Sequence, residues 1–140
     1  MKARVAIRNQ RGMAAIELTL LAPVLLVILL FVVGLGRMAH ARQQIESVAA
    51  DSARAASLQP DKTSAAAAAK SAATQSLGDA GVSCTNLSVA VDATRFEPGG
   101  VLRVVVSCRA ALGDVAVAGF PGSRVFTARS SVPIETYRAR

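Results

Sequence analysis

LTLLAPVLLVILLFVVGLG, residues 18–36, is a run of 19 uncharged and mostly aliphatic residues. A helix of roughly 20 apolar residues crosses the ~30 Å hydrocarbon core of a bilayer, so this run predicts a transmembrane helix. Four basic residues and no acidic residue lie in the first 12 positions, whereas only Arg37 and Arg42 closely follow the run. Because basic residues favour the cytoplasmic side, the N-terminus is expected in the cytoplasm and the C-terminal part outside it.

The helix is expected to begin at residue 13 and to continue beyond the membrane segment, over residues 37–58. Small or apolar residues recur there at steps of three and four: Met38, Ala41, Ile45, Val48, Ser52 and Ala55. This spacing predicts one side suited to packing. Within the membrane segment, Pro23 leaves the Thr19 carbonyl without its helical partner. A kink or a loosened turn is therefore expected, although membrane helices tolerate proline.

Residues 59–140 are predicted to form an extracytoplasmic region that begins with an alanine-rich helix over 62–77. Ser64 is its expected cap and Gly78 its expected stop, with a low-complexity linker as the alternative. A β-hairpin or sheet is predicted over 85–137, since residues 97–100 (EPGG) indicate a turn and apolar residues alternate with polar ones after it. The segments 124–131 and 132–137 supply one or two more strands. The fold class is thus α+β, a long N-terminal helix followed by a small β-rich domain.

Cys84 and Cys108 are the only two cysteines, and both lie in the part expected to be exported. A disulfide is favoured in an oxidising compartment, and closing a loop of about 25 residues stabilises a fold by roughly 3 kcal/mol. Simple pairing through the predicted turn places Cys108 roughly opposite Val89 and not opposite Cys84. A Cys84–Cys108 bond therefore requires a bend near residues 85–86, and two unpaired core cysteines are the alternative.

Composition argues against nucleic-acid binding and catalysis. The net charge is +7, but four of the 16 basic residues lie in the first 12 positions, and the rest are scattered in a chain with one Tyr and no Trp. No basic and aromatic stacking surface is therefore expected. His40 is the only histidine, and with two cysteines it cannot complete a closed zinc site. The sequence predicts no enzyme, no metal site and no cofactor.

Glu17 is the unusual residue, because a carboxylate stands at the start of the apolar run. Ionisable residues in membrane segments are rare and by default suggest a function and a partner. If the chain is cut after Gly12, Met13 gains a free amino group four residues before Glu17. The two charges can then pair within one subunit or between neighbours, which sets the axial register of packed helices. An interfacial acid that reaches the headgroups is the alternative.

This arrangement resembles the signal of type IV prepilins, and residues 11–58 resemble the N-terminal module of TadE/TadG-like proteins of Flp (tight adherence) pilus systems. The shared elements are the Arg11-Gly12 pair, Glu17, Pro23 and the alanine- and arginine-rich continuation. The resemblance implies a leader over residues 1–12, cleavage between Gly12 and Met13 by a prepilin peptidase, and roles for Glu17 and Pro23 in assembly and register.

The resemblance further implies a minor pilin-like membrane protein that helps to assemble or anchor the pilus. Its partners would be other pilins or pseudopilins, the Tad membrane assembly platform and the lipid bilayer. Major Flp pilins carry a tyrosine after the glutamate and have almost no globular part, whereas this chain has Leu18 and a long C-terminal region. These differences favour an accessory component.

Two alternatives remain open at this point. Residues 39–41 (AHA) form an A-x-A site for ordinary signal peptidase, which would release a secreted protein of unrelated binding function. The preceding apolar run of 19 residues is longer than the ~7–15 residues usual in signal peptides. The other alternative is an uncleaved anchor that displays a small ligand-binding domain.

Overall fold

A computed structural model describes residues 11–111, Gly119 and 122–136. Within them, helix α1 (Arg11–Ser57) runs unbroken through the apolar and the amphipathic segments, as predicted. At ~1.5 Å per residue its length is about 70 Å. Its large apolar side chains between Ile16 and Leu35 are 42–68% exposed, and α1 is long and apolar enough to cross a membrane. The predicted leader lies largely outside the described residues.

The second half of α1 is the central element of the domain. The predicted packing side is confirmed at Ile45, Val48 and Ser52, which are buried. The buried hydroxyl of Ser52 has a hydrogen-bond partner, because it donates to the Val48 carbonyl at 2.7 Å. The buried surface is wider than predicted, since it also includes Ala49, Ala53 and Ala56. The reason is that α1 contacts both a second helix and a sheet, so two adjacent sides of it are covered.

Helix α2 (Lys62–Asp79) is the predicted alanine-rich helix, but the predictions of Ser64 as its cap and of Gly78 as its stop were both wrong. Asp61 is the N-cap, and its Oδ1 accepts the N–H groups of Thr63 and Ser64 at 2.9 Å each. Hydrogen bonds from the backbone and side chain of Ser64 lower the pKa of the Asp61 carboxyl. A carboxylate ranks with the best caps because it satisfies N–H groups that lack helical partners.

The C-terminus of α2 is set by Gly81 and not by Gly78. Gly81 adopts a left-handed φ of 66°, and the Val82 N–H donates to the Leu77 carbonyl at 3.1 Å. A second bond runs from the Gly81 N–H to the Gly78 carbonyl at 3.1 Å. This pair of bonds is a Schellman motif, which needs a left-handed residue one position beyond the cap, where glycine is favoured.

The buried side of α2 consists of four residues spaced four apart, Ala65, Ala69, Ala73 and Leu77. With the buried alanines of α1 they belong to one apolar core cluster. Small side chains on both helices allow their backbones to approach closely. The Ser76 hydroxyl also donates to the Asp51 carboxylate of α1 at 3.2 Å.

The sheet has three antiparallel strands, β1 (Cys84–Asp92), β2 (Val101–Ala111) and β3 (Ser123–Pro133), in the order β1-β2-β3. The predicted alternation in β2 is confirmed, because Leu102, Val104, Val106 and Cys108 are fully buried on the face that packs on the helices. The region predicted to hold one or two further strands forms the single strand β3, while Tyr137 lies outside the described residues. The α+β fold class is confirmed.

The predicted register of the β1–β2 hairpin was wrong by two residues, since Cys108 pairs with Leu87 and Val89 pairs with Val106. Strand β1 ends at Asp92, whose carboxylate accepts the Thr94 N–H at 3.1 Å and starts the connection early. Residues 97–100 do form a turn, with a Gly100 N–H to Glu97 carbonyl bond of 2.8 Å. The connection between the strands therefore spans residues 93–100.

We predict that Ala69→Leu lowers the free energy of unfolding by about 1–3 kcal/mol, because the added atoms overpack the closed contact between the helices. Ala66→Leu is the matched control: Ala66 is exposed on the same helix and should change stability by less than about 0.5 kcal/mol. Urea unfolding of the full chain in detergent, followed by circular dichroism, measures both. Equal effects of the two variants would contradict the packing described here.

Candidate functional site

The residues singled out near the N-terminus lie in the first turns of α1. Met13 and Glu17 are four residues apart, which is about 6 Å along the axis and nearly the same side of the helix. Pro23 follows Glu17 by six residues, about 9 Å along the axis and about 120° around it. The helix therefore brings the positions of Met13 and Glu17 together and places Pro23 on another side.

Glu17 lies far from the folded domain. Its side chain is exposed, and its neighbours Ile16 and Leu18 are 65% and 68% exposed. The first fully buried side chain of α1 is Ile45, about 40 Å further along the axis. A carboxylate on an exposed apolar helix is costly in lipid unless it finds a partner. The α2–sheet domain is too distant to supply that partner.

Pro23 lies inside an uninterrupted α-helix. The structure therefore does not break the helix at this point, although proline removes one hydrogen bond. Pro23, Val24, Val27 and Ile28 line a shallow apolar recess of about 300 Å³ on the helix surface. The role of Pro23 in assembly stays a prediction.

Cys84 and Cys108 form a disulfide, with their Cα atoms 5.5 Å apart. The register of β1 on β2 shifts between Cys84 and Asn86, so Cys84 pairs with Ala110 and lies diagonally from Cys108. The Thr85 hydroxyl donates to the Arg109 carbonyl at 3.1 Å beside this irregularity. The bend near residues 85–86 is thus the feature that brings the two sulfur atoms within bonding distance.

Among the described residues, the His, Cys, Asp and Glu side chains do not form a cluster of metal ligands. No group of three or more His, Cys, Asp or Glu side chains there is placed to hold a metal ion. His40 lies on the exposed side of α1, with its Nε2 at 3.4 Å from Gln44 Nε2. Both cysteines are bonded to each other and are unavailable as ligands.

Sequence reasoning missed a groove between α1 and β3. It measures about 440 Å³ and is lined by Met38, Ala39, Arg42, Ile45 and residues 124–127. Arg42 stands next to the predicted packing side of α1, but the sequence did not predict which strand lies beside it. The sequence shows Arg42 in the amphipathic part of α1 and Arg124 at the start of the predicted strand, but it does not show that the two line one groove.

Comparison with known proteins identifies the first part of the chain. Residues 12–54 match the family model described as TadE-like protein. The N-terminal module is TadE-like. The match begins at Gly12, includes Glu17 and Pro23, and ends within the buried part of α1. No curated protein and no solved structure shows significant similarity to the chain.

The TadE-like match implies involvement in the Tad pilus system. It is confined to α1, so α2 and the sheet lie outside it. The boundary does not coincide with a structural break, because the matched helix is also the central element of the domain. A TadE-like helix therefore carries a small disulfide-bonded domain in this protein.

Proposed function

We propose that this protein is a minor pilin-like component that takes part in the assembly or anchoring of Flp pili. A prepilin peptidase removes the leader between Gly12 and Met13, and α1 then holds the mature protein in the membrane. The observation that carries the proposal is the match of residues 12–54 to TadE-like proteins. It coincides with an unbroken helix that bears Glu17 near one end and the domain at the other.

In this proposal the N-terminus faces the cytoplasm and the domain lies outside it. The excess of basic residues before the apolar segment supports that orientation. The disulfide supports it too, since Cys84 and Cys108 both belong to the part that would be exported into an oxidising compartment. The peptidase site at Gly12 would then be accessible from the cytoplasmic side.

The part of α1 that precedes the folded domain supports packing with other pilins. Its apolar side chains between Ile16 and Leu35 are exposed, and they precede the first fully buried side chain, Ile45. A helix of this kind can lie beside similar helices in the membrane or in a fibre. Cleavage at Gly12 gives Glu17 an amino group as a partner on its own side of the helix. Pairing with a neighbour's amino group would fix the axial register, since an unmatched charge in an apolar bundle is strongly disfavoured.

An accessory role fits this chain better than the role of main fibre subunit. The domain made by the second half of α1, α2 and the sheet is large relative to the helix that precedes it. The resemblance to the major pilins also fails at Leu18, where they have tyrosine. The domain remains available to contact the assembly platform or the end of a fibre.

We predict that the mature protein isolated from the native host begins at Met13. Gly12→Ala should leave most of the chain uncut, because the peptidase reads the glycine before the cleaved bond. N-terminal sequencing of the purified proteins provides the measurement. A start near Arg42 would instead support cleavage by signal peptidase, and an intact Met1 would support an uncleaved anchor; either result would overturn the proposed processing.

Glu17→Ala should lower piliation by about tenfold or more, since it leaves the Met13 amino group unpaired in an apolar assembly. Membrane insertion and cleavage should remain close to normal. Glu46→Ala is a control, because it also removes a carboxylate from α1 but at an exposed position beside Arg42. Piliation is counted by electron microscopy and the mature form by immunoblotting. Normal piliation of the Glu17 variant would rule out the charge pairing.

A further inference from the structure

The groove between α1 and β3, called here the α1–β3 groove, combines an apolar floor with basic rims. Met38, Ile45 and Phe126 are buried or half-buried and form its floor. Arg42 on the helix and Arg124 on the strand are exposed and stand at its rims. None of its eight lining residues is acidic. Its volume of about 440 Å³ is in the range of small-molecule sites.

The position of the groove along α1 relates it to the membrane surface. Met38 and Arg42 follow Gly36, the last residue of the apolar run, by two and six positions. These steps correspond to about 3 Å and 9 Å along the axis. The headgroup layer on each side of the hydrocarbon core is about 5–8 Å thick. With residues 18–36 in the core, Met38 lies within the headgroup layer and Arg42 at its outer edge, so the groove opens next to the phospholipid headgroups.

Arg42 retains donors for an anion. Arg42 Nε donates to Glu46 Oε1 at 3.1 Å, in a pair whose side chains are 77% and 56% exposed. Such exposed pairs are weak. A guanidinium carries five N–H donors in a planar fork, so the bond through Nε leaves the terminal nitrogens for a second acceptor. Arginine is well suited to phosphate because this fork binds two oxygens at once.

We propose that the α1–β3 groove binds the headgroup phosphate of an anionic phospholipid, between Arg42 and Arg124. The glycerol end of the acyl chains would lie against Met38, which continues the apolar surface of the membrane helix. Bound lipid attaches the domain to the bilayer at a second point besides α1. This contact fixes the rotation of the domain about the helix axis and presents the outer face of the sheet away from the lipid.

The other arginine-rich surface of the domain is less suited to a lipid. Arg103, Arg109 and Arg129 lie on the outer face of the sheet. Their cross-strand partners are Asp92 and Ser131 for Arg103, Asn86 and Val125 for Arg109, and Val105 for Arg129. Arg103 faces Asp92 at the end of the hairpin connection, so part of its charge is compensated. Arg103 lies near the start of β2, whereas the α1–β3 groove lies near the other end of that strand.

The test uses the full chain in vesicles of phosphatidylcholine that contain a small fraction of diazirine-labelled phosphatidylglycerol. After irradiation, mass spectrometry maps the crosslinked peptides. We expect crosslinks concentrated in segments 38–45 and 124–127, and few with diazirine-labelled phosphatidylcholine. Inorganic phosphate should not displace the lipid, because it lacks the apolar part that the groove floor contacts.

The variant Arg42→Gln/Arg124→Gln should reduce crosslinking to phosphatidylglycerol by at least roughly fivefold, since each arginine near an anionic surface contributes about 1 kcal/mol. The variant Arg103→Gln/Arg129→Gln removes the same charge from the outer face and should crosslink like the wild type. Circular dichroism and thiol titration of Cys84 and Cys108 check that each variant is folded.

Equal crosslinking of the two double variants would overturn the proposal. It would also be overturned if the groove segments crosslinked to a second copy of the chain and not to lipid. The inference rests on the membrane placement of α1 and does not require a role in pilus assembly. A failure in the vesicle experiment and a failure in the piliation experiment are therefore separate results.

Discussion

Continuity of α1 is the constraint on which the rest of the structure depends. In lipid, every backbone N–H and C=O must be paired within the segment, and a helix meets this requirement. The same helix continues, without a break, into the surface against which α2 and the sheet pack. A three-stranded sheet with a short alanine-rich helix has little apolar surface of its own. The domain is therefore built around the extension of a helix segment that is long and apolar enough to cross a membrane.

Two local features allow so small a domain to close around α1. Alanine on both helices permits a close contact, with Ala53 and Ala69 fully buried. The Cys84–Cys108 bond joins the start of β1 to β2 near the end of the sheet where β3 also begins. Both features lie outside the membrane segment, so they stabilise the domain without affecting the surface that α1 offers to lipid or to other helices.

The sequence predicted α1 and the strands well because their signals are periodic. The continuous apolar run reports the membrane-length part of α1, the spacing from Met38 to Ala55 reports one side of its continuation, and the alternation from Leu102 to Cys108 reports one sheet face. The terminal residues of α2 were less predictable, because Asp61 and Ser64 are both good cap residues and Gly78 and Gly81 are both good stops. Which of these candidates ends the helix depends on the hydrogen bonds of its first and last turns. Residue spacing alone does not reveal those hydrogen bonds.

The hairpin register and the α1–β3 groove depend on tertiary structure. The Asp92 carboxylate bonds to Thr94 and the connection starts before residues 97–100, so the pairs of residues 86–92 with β2 are shifted by two residues from the expected register. Arg42 and Arg124 are 82 positions apart in the sequence and meet only because β3 packs on α1. By contrast, Gly12, Met13, Glu17 and Pro23 can be singled out from sequence alone, since they lie on one element and follow a family pattern, and their roles stay predictions.

The continuity of α1 can be measured most directly with nitroxide labels placed singly at positions 28–48 of the full chain in vesicles. Accessibility to oxygen and to a water-soluble nickel reagent should vary with a period of ~3.6 residues through positions 36–42. Over these positions the label should change from being more accessible to oxygen to being more accessible to the nickel reagent. Label mobility should not increase there. Loss of the period and high mobility at positions 36–42 would show a flexible linker between membrane and domain, and would contradict the account.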